Sequence, residues 1–335
     1  SVKGLALSQY QQSGAFLLNE TKNIIITILA AKSVVDGNMT LGMMLAVQYI
    51  IGQLNSPIEQ LISFFNAMQD AKISLERLSE IHLRDDEEKL EDNLVADIPS
   101  DADLIVENLS FRYEGPDSEL VLNNVNIKIP VGKQTAIVGT SGSGKTTLVK
   151  LLLGFYPPSS GEILLGQNNI DTYSIRHWRE ECGVVMQDGF IFSDTIAHNI
   201  APGAESIDKQ QLIRAAKIAN IYDFITSLPL GFNTKIGGEG HGLSQGQKQR
   251  ILIARSVYKN PKYIFFDEAT NSLDASNERM ILENLQEFFK GRTAVVVAHR
   301  LSTVKNADQI IVLEKGDVVE VGTHKELTAK KGAYY

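Results

Sequence analysis

Between residues 135 and 147 a β-branched run, Thr135 to Val138, breaks into a loop with glycines at 139, 142 and 144. Lys145, Thr146 and Thr147 follow, and then an apolar stretch, Leu148 to Leu153, that reads as a helix. Gly139, Gly144, Lys145 and Thr146 fit the spacing G-x-x-x-x-G-K-[ST] of a phosphate-binding loop. Glycines let successive backbone N–H groups turn inward on an anion. The helix that begins at the loop's end adds unpaired donors and a partial positive charge. Thr140, Ser141, Gly142 and Ser143 form the turn itself, and Thr147 stands one residue into the helix from Thr146. In such a loop the lysine reaches the β- and γ-phosphates and the first threonine hydroxyl ligates Mg2+. The plain alternative is a Gly/Ser-rich surface loop with a solvated lysine, but a strand before and a helix after favour the nucleotide.

A chain of 335 residues has room for two domains. With 43% hydrophobic residues it can bury an ordinary core. The formal net charge of −8 argues against wrapping nucleic acid, which is gripped by Lys and Arg. Cys182 is the only cysteine, so there is no intrachain disulfide and no Cys-based metal site. Its setting, Glu-Cys-Gly-Val-Val, suits a small core residue. Ser1 is not an initiator Met and no signal-peptide pattern follows, which reads as the C-terminal part of something longer.

Residues 1–83 differ in character from the rest. Within the segments 17–35 and 41–66, Asn23 to Val35 and Leu41 to Phe65 are mostly apolar, broken by Lys32 in one and by Gln48, Gln53, Asn55 and Glu59 in the other. Asp36 to Met39 make a turn between them, with Thr40 a candidate helix N-cap. Neither segment is a run of 18 or more residues with few or no charges. A soluble helical hairpin and a pair of membrane helices lining a wet cavity both fit. Residues 66 to 83 continue as a helix. The acidic run Asp85 to Glu88, then Glu91, Asp92 and Pro99, reads as a solvated linker over 84–102.

From 103 onward the text is β-rich, first 103–113 and 121–130 with alternating polarity. Helical and strand-like runs then alternate, with 208–227 helical, 262–266 and 294–298 buried strands, and 310–321 a closing hairpin. Strands alternating with helices after a phosphate loop predict an α/β core with a parallel sheet. Tyr263 to Glu268 is an apolar strand ending in two carboxylates. A strand-end acid at 267 would help hold Mg2+, and the neighbouring Glu268 is placed to take a proton from attacking water.

The order of motifs is phosphate loop, Gln187 in Val-Met-Gln-Asp, Leu243-Ser244-Gln245-Gly246-Gln247 before a helix, the Asp267–Glu268 strand, and His299 in Val-Ala-His-Arg. That order resembles the nucleotide-binding domain of ATP-binding-cassette (ABC) proteins over residues 103–335. The resemblance implies a P-loop NTPase core with an N-terminal antiparallel β subdomain and a helical subdomain. It implies ATP and Mg2+ as cofactors. Tyr113 would stack on adenine, and Gly139 to Thr147 would bind the phosphates. Thr146, Gln187 and Asp267 would surround the metal. Glu268, His299 and Gln187 would carry the hydrolysis, with His299 on the γ-phosphate. Ser244, Gly246 and Gln247 would bind ATP held by a second copy, and Asp274 would cross that homodimer interface. Gln245 stands where the family most often has Gly.

In exporters of this family a membrane domain precedes the nucleotide-binding domain, so residues 1–83 resemble its last two spans in an α-helical membrane hairpin. Upstream spans of the same parent chain would then be partners. The implied location is the cytoplasmic (inner) membrane, with the ATPase on the cytoplasmic side. The wording of residues 234–250 is similar to bacteriocin-type peptide exporters, some with an N-terminal peptidase. The expectation is an ATPase that drives peptide export; a multidrug or lipid exporter shares every motif. A soluble ABC ATPase would need an insertion, a tandem cassette or a basic face that the sequence lacks.

Overall fold

The structure, a computed structural model, describes residues 2–82, 86–88, 94–99, 101–113, 118–238, 240, 242–269, 275–298 and 304–335. The chain divides into two units, one through Glu87 and the other from Glu88 to Tyr335.

The first unit is a helical hairpin of α1 (Val2–Val35) and α2 (Leu41–His82). The turn between them uses Gly37 at φ 73°, a left-handed conformation open to glycine. Thr40 caps α2 by accepting a hydrogen bond from Met43 N at 3.2 Å. The first helix begins well before residue 17, where the resemblance to a membrane span starts. A helix needs only its own backbone bonds and good formers such as Ala, Leu and Gln, which the polar beginning of α1 supplies. The second passes through Pro57 without ending. Among the described residues no helix is long and apolar enough to cross a membrane. Many large apolar side chains of the hairpin are nonetheless exposed, including Ile28, Leu29, Ile50, Leu61, Ile62 and Phe65.

The second unit holds two sheets. The first is antiparallel: β1 (Leu104–Phe111) lies between β2 (Leu122–Ile129) and β4 (Ser160–Leu165), with the short β5 (Asn168–Asn169) at one edge. The other has six strands in the order β10-β9-β3-β8-β7-β6. These are β3 (Gln134–Gly139), β6 (Cys182–Val185), β7 (Tyr263–Asp267), β8 (Thr293–Val297), β9 (Gln309–Glu314) and β10 (Asp317–Gly322). Only β10 runs antiparallel, so the ends of β3, β6, β7, β8 and β9 share one edge of the sheet. Every residue of β7 and of β8 is buried, as strands covered on both faces must be. This is a mixed α/β fold of the P-loop NTPase type.

Helices supply the cover. They are α3 (Lys145–Leu152), α4 (Ile175–Glu181), α5 (Ile196–Ile200), α6 (Lys209–Ile218), α7 (Tyr222–Ser227), α8 (Gln245–Lys259), α9 (Ala275–Phe289) and α10 (His324–Lys330). The helical run expected over 208–227 is two helices, because Asn220 takes a left-handed φ of 50° between them. Cys182 is buried in the core, and burial pushes its thiol well above the usual range.

The acidic linker is corrected in part. Ile98 is buried and Val95 pairs with Tyr173. Glu88 accepts hydrogen bonds from Ser174 Oγ (3.0 Å) and Arg176 N (2.9 Å), and these hold its carboxyl below the usual range. A charge-pattern reading sees a run of acids. It misses that one of them satisfies an N–H that a helix start leaves open.

Candidate functional site

The loop after β3 is shaped by two glycines, one crowded by backbone and one in a left-handed conformation. A Cβ on Gly139 would stand 2.1 Å from Leu313 O, and one on Gly144 would stand 2.6 Å from Leu122 Cδ2. Gly144 also takes φ 99° and serves as the N-cap of α3. The helix therefore starts at Lys145, three residues before its apolar stretch. Its first backbone bond from within the turn is Leu148 N to Gly144 O at 2.9 Å. The N–H groups of Lys145, Thr146 and Thr147 are thus the ones a helix start leaves without acceptors of its own. Together with the dipole they make an anion cradle.

Lys145 closes the cradle. Its Nζ donates to Gly139 O (3.0 Å) and Thr140 O (2.8 Å), curling over the loop. The side chain is buried, and desolvation lowers its pKa against the opposing pull of Glu268 and Asp267. Those two carboxylates therefore lie within electrostatic reach of the ammonium.

Asp267 closes β7 and is completely buried. Neither of its carboxylate oxygens has a hydrogen-bond partner among the described residues. Burial raises its pKa; Glu268 adds to the rise, while the nearby Thr146 hydroxyl, Lys145 and Lys150 oppose it. A buried carboxylate without donors is costly unless a cation neutralises it. A hard cation such as Mg2+ fits, since it needs few protein oxygens and takes others from phosphate. Among the described residues no group of three or more His, Cys, Asp or Glu could hold a metal. The donors at this edge are one carboxylate and one hydroxyl, which suits a cation shared with a phosphate.

Glu268 leaves the strand in a left-handed conformation, φ 52°. For a residue with a side chain that costs on the order of 1–3 kcal/mol. Its N–H donates to Val297 O at 3.3 Å, and its carbonyl accepts from Gln249 Nε2 at 2.9 Å. The sharp turn lifts the Glu268 side chain out of the buried strand while Asp267 stays in it.

Gln187 lies two residues beyond β6, exposed, at the same edge because Val185 pairs with Phe266. Tyr113 lies two residues past β1, half-exposed, with ring-edge contacts to Phe111 (5.0 Å) and Tyr156 (5.4 Å). Its hydroxyl is 3.0 Å from Thr147 Oγ1, which ties it to the start of α3. The topology thus gathers Tyr113, the loop from Gly139 to Thr147, Gln187, Asp267 and Glu268.

Ser244, Gly246 and Gln247 lie at the start of α8, with Ser244 as its N-cap. Ser244 accepts from Gln247 N (3.2 Å) and Gln247 Oε1 accepts from Ser244 N (2.8 Å), a reciprocal cap. Ser244 is exposed. His299 and Asp274 lie outside the described residues, as does His241. His177, which matches no motif, bonds Ser174 Oγ at 2.8 Å. Sequence reasoning missed Gln249 and Tyr156. A signal for Gln249 existed: it shares an i, i+3, i+4, i+7 stripe of α8 with the buried Leu252, Ile253 and Ser256.

Comparison with known proteins agrees with this geometry. A family model described as ABC transporter matches residues 122–271. The leukotoxin translocation ATP-binding protein LktB of Mannheimia glucosida is 40% identical over the whole of this chain and 47% of its own length. The protein of that name from Bibersteinia trehalosi is equally similar. A solved structure, of a bacterial Atm1-family ABC exporter with ATP bound, is 33% identical with a TM-score of 0.74. It matches 96% of this chain and 57% of its own. The chain spans about half the length of the curated relatives it matches. With the phosphate loop, the buried strand-end acid and these relatives in agreement, the chain carries a domain of the ABC transporter family.

Proposed function

We propose that this chain is the ATP-binding and ATP-hydrolysing part of an ABC exporter that works as a homodimer. The observation that carries the reading is the edge where Lys145, the orphaned Asp267 carboxylate and Glu268 meet. The cradle formed by Gly139 to Thr147 binds the phosphates, and Tyr113 stacks on the adenine. Thr146, Asp267 and Gln187 would hold Mg2+, which when bound supplies positive charge to offset that on the phosphoryl group. Glu268 accepts the proton of the attacking water. We infer that Ser244 and Gly246 serve the ATP of the second copy, with Asp274 crossing that interface and His299 on the γ-phosphate.

ATP favours the closed pair because only the closed pair offers it both the cradle and the cap. The exposed apolar side chains of α1 and α2 need cover, which supports placing the hairpin in the inner membrane with the ATPase unit cytoplasmic. The domain limits of this reading are 1–83, 84–102 and 103–335. The cargo we infer is a polypeptide, since relatives named for leukotoxin translocation are similar over the whole chain. Turnover in vesicles that rises with unfolded polypeptide supports that cargo. Stimulation by drugs or lipids instead gives the alternative exporter.

The direct test is phosphate release from ATP with Mg2+; a chain that binds ATP and releases none is a sensor and not an engine. Tyr113→Ala should weaken ATP by about 1–3 kcal/mol, the usual worth of base stacking. Bare triphosphate should bind this variant as it binds the parent. Equal losses for both ligands would remove Tyr113 from the base.

A further inference from the structure

We propose that Gln249 is a positioning residue for Glu268, an inference that rests on Glu268 being the general base. Two observations meet here. Glu268 is held in a left-handed conformation that its side chain disfavours, so something outside it must fix its backbone. Gln249 is 6% exposed, a buried amide beside Leu252 and Ile253 on the inner face of α8, and its Nε2 donates to the Glu268 carbonyl at 2.9 Å.

The geometry determines what that bond does. Glu268 is fixed on one side by its N–H to Val297 O at 3.3 Å. With its carbonyl pinned as well, the peptide planes before and after Cα are both set. The direction of the Cα–Cβ bond, and so the reach of the carboxylate, follows from them. A general base acts only within hydrogen-bond distance of the proton it takes, so small rotations of this peptide change the rate strongly. The bond also joins two parts of the molecule with different duties. Gln249 lies just over one turn beyond Ser244 on the same helix. A shift of α8 therefore reaches the base of its own copy through one amide.

The test is Gln249→Met, which keeps length and volume but removes the donor, measured with Gln249→Leu as a second variant. Turnover should fall roughly 10- to 100-fold, a share of the 10²–10⁴ that a positioned base contributes. ATP affinity, read by fluorescence with Mg2+, should stay within about twofold. A merely structural role would instead weaken α8 and its cap. To separate the two, Gln249→Met is added to Glu268→Gln and ATP-dependent pairing is followed on a sizing column. Pairing equal to that of Glu268→Gln alone supports positioning; lost pairing overturns it. Unchanged turnover in both single variants also overturns it. If Glu268→Gln itself turns over at the parent's rate, the assignment of the base has failed, an outcome distinct from failure of the inference about Gln249.

Discussion

Lys145→Ala should abolish the stabilisation that ATP gives to this protein against heat, while leaving the melting point without nucleotide nearly where it was. Lys145 is buried and its ammonium is disfavoured by desolvation. Its two bonds to Gly139 O and Thr140 O are within its own loop, so the fold around it does not depend on them. The loss falls on the ligand. Hydrogen bonds to charged groups are worth about 1.5–3 kcal/mol each, and a lysine bridging β- and γ-phosphates makes two. Removing them should cost roughly 3–6 kcal/mol, or about two to four orders of magnitude in affinity. At ATP one hundredfold above the dissociation constant, the parent gains about 2.7 kcal/mol of stability from the ligand. The variant at the same concentration should gain almost none. An undiminished shift in the variant would show that the anion binds elsewhere.

The phosphate loop was legible because its chemistry lies in residues adjacent in sequence. Gly139 is required by a backbone oxygen that would stand 2.1 Å from a Cβ, and Gly144 by its left-handed φ of 99°. The strand ending in Asp267 was legible for a similar reason, since a strand buried on both faces must read as an apolar run and its polar end must have a task. The apolar stretch Leu148 to Leu153 marks only the buried face of α3, because hydropathy does not see the cap at Gly144 that begins it. Glu88 was read as solvent-facing because its partners, Ser174 and Arg176, are 86 and 88 residues away. Gln249 was passed over for the same reason. A buried amide on α8 gains a meaning only once the topology brings Glu268 to it. Local pattern gives the parts of such a site, and long-range pairing decides which side chains steer them.

Glu268→Gln should separate binding from turnover. Glutamine has nearly the shape of glutamate, and the backbone bonds to Val297 and Gln249 do not involve the side chain, so the left-handed turn should persist. What changes is charge and basicity. Loss of a carboxylate beside Asp267 removes one cause of its raised pKa, so Asp267 becomes easier to ionise and better able to face a cation. Lys145 loses a neighbour that favoured its charged form, but it keeps Asp267 and gains the phosphates. ATP affinity should therefore hold or tighten. Hydrolysis should fall by about 10²–10⁴, because an amide takes no proton from water at neutral pH. With binding kept and the exit by hydrolysis closed, ATP-bound pairs should accumulate and elute as dimers on a sizing column. Glu268→Ala is the control for shape: it should lose turnover equally and leave the strain of the turn as it is, since the clash at φ 52° comes from the Cβ that both residues carry. A rate within twofold of the parent in both variants would move the base to another residue. Loss of turnover without any ATP-bound pair would keep the base and reject the sandwich. The two parts of the mechanism therefore stand or fall on separate readings of one variant, phosphate released and the size of the species that holds ATP.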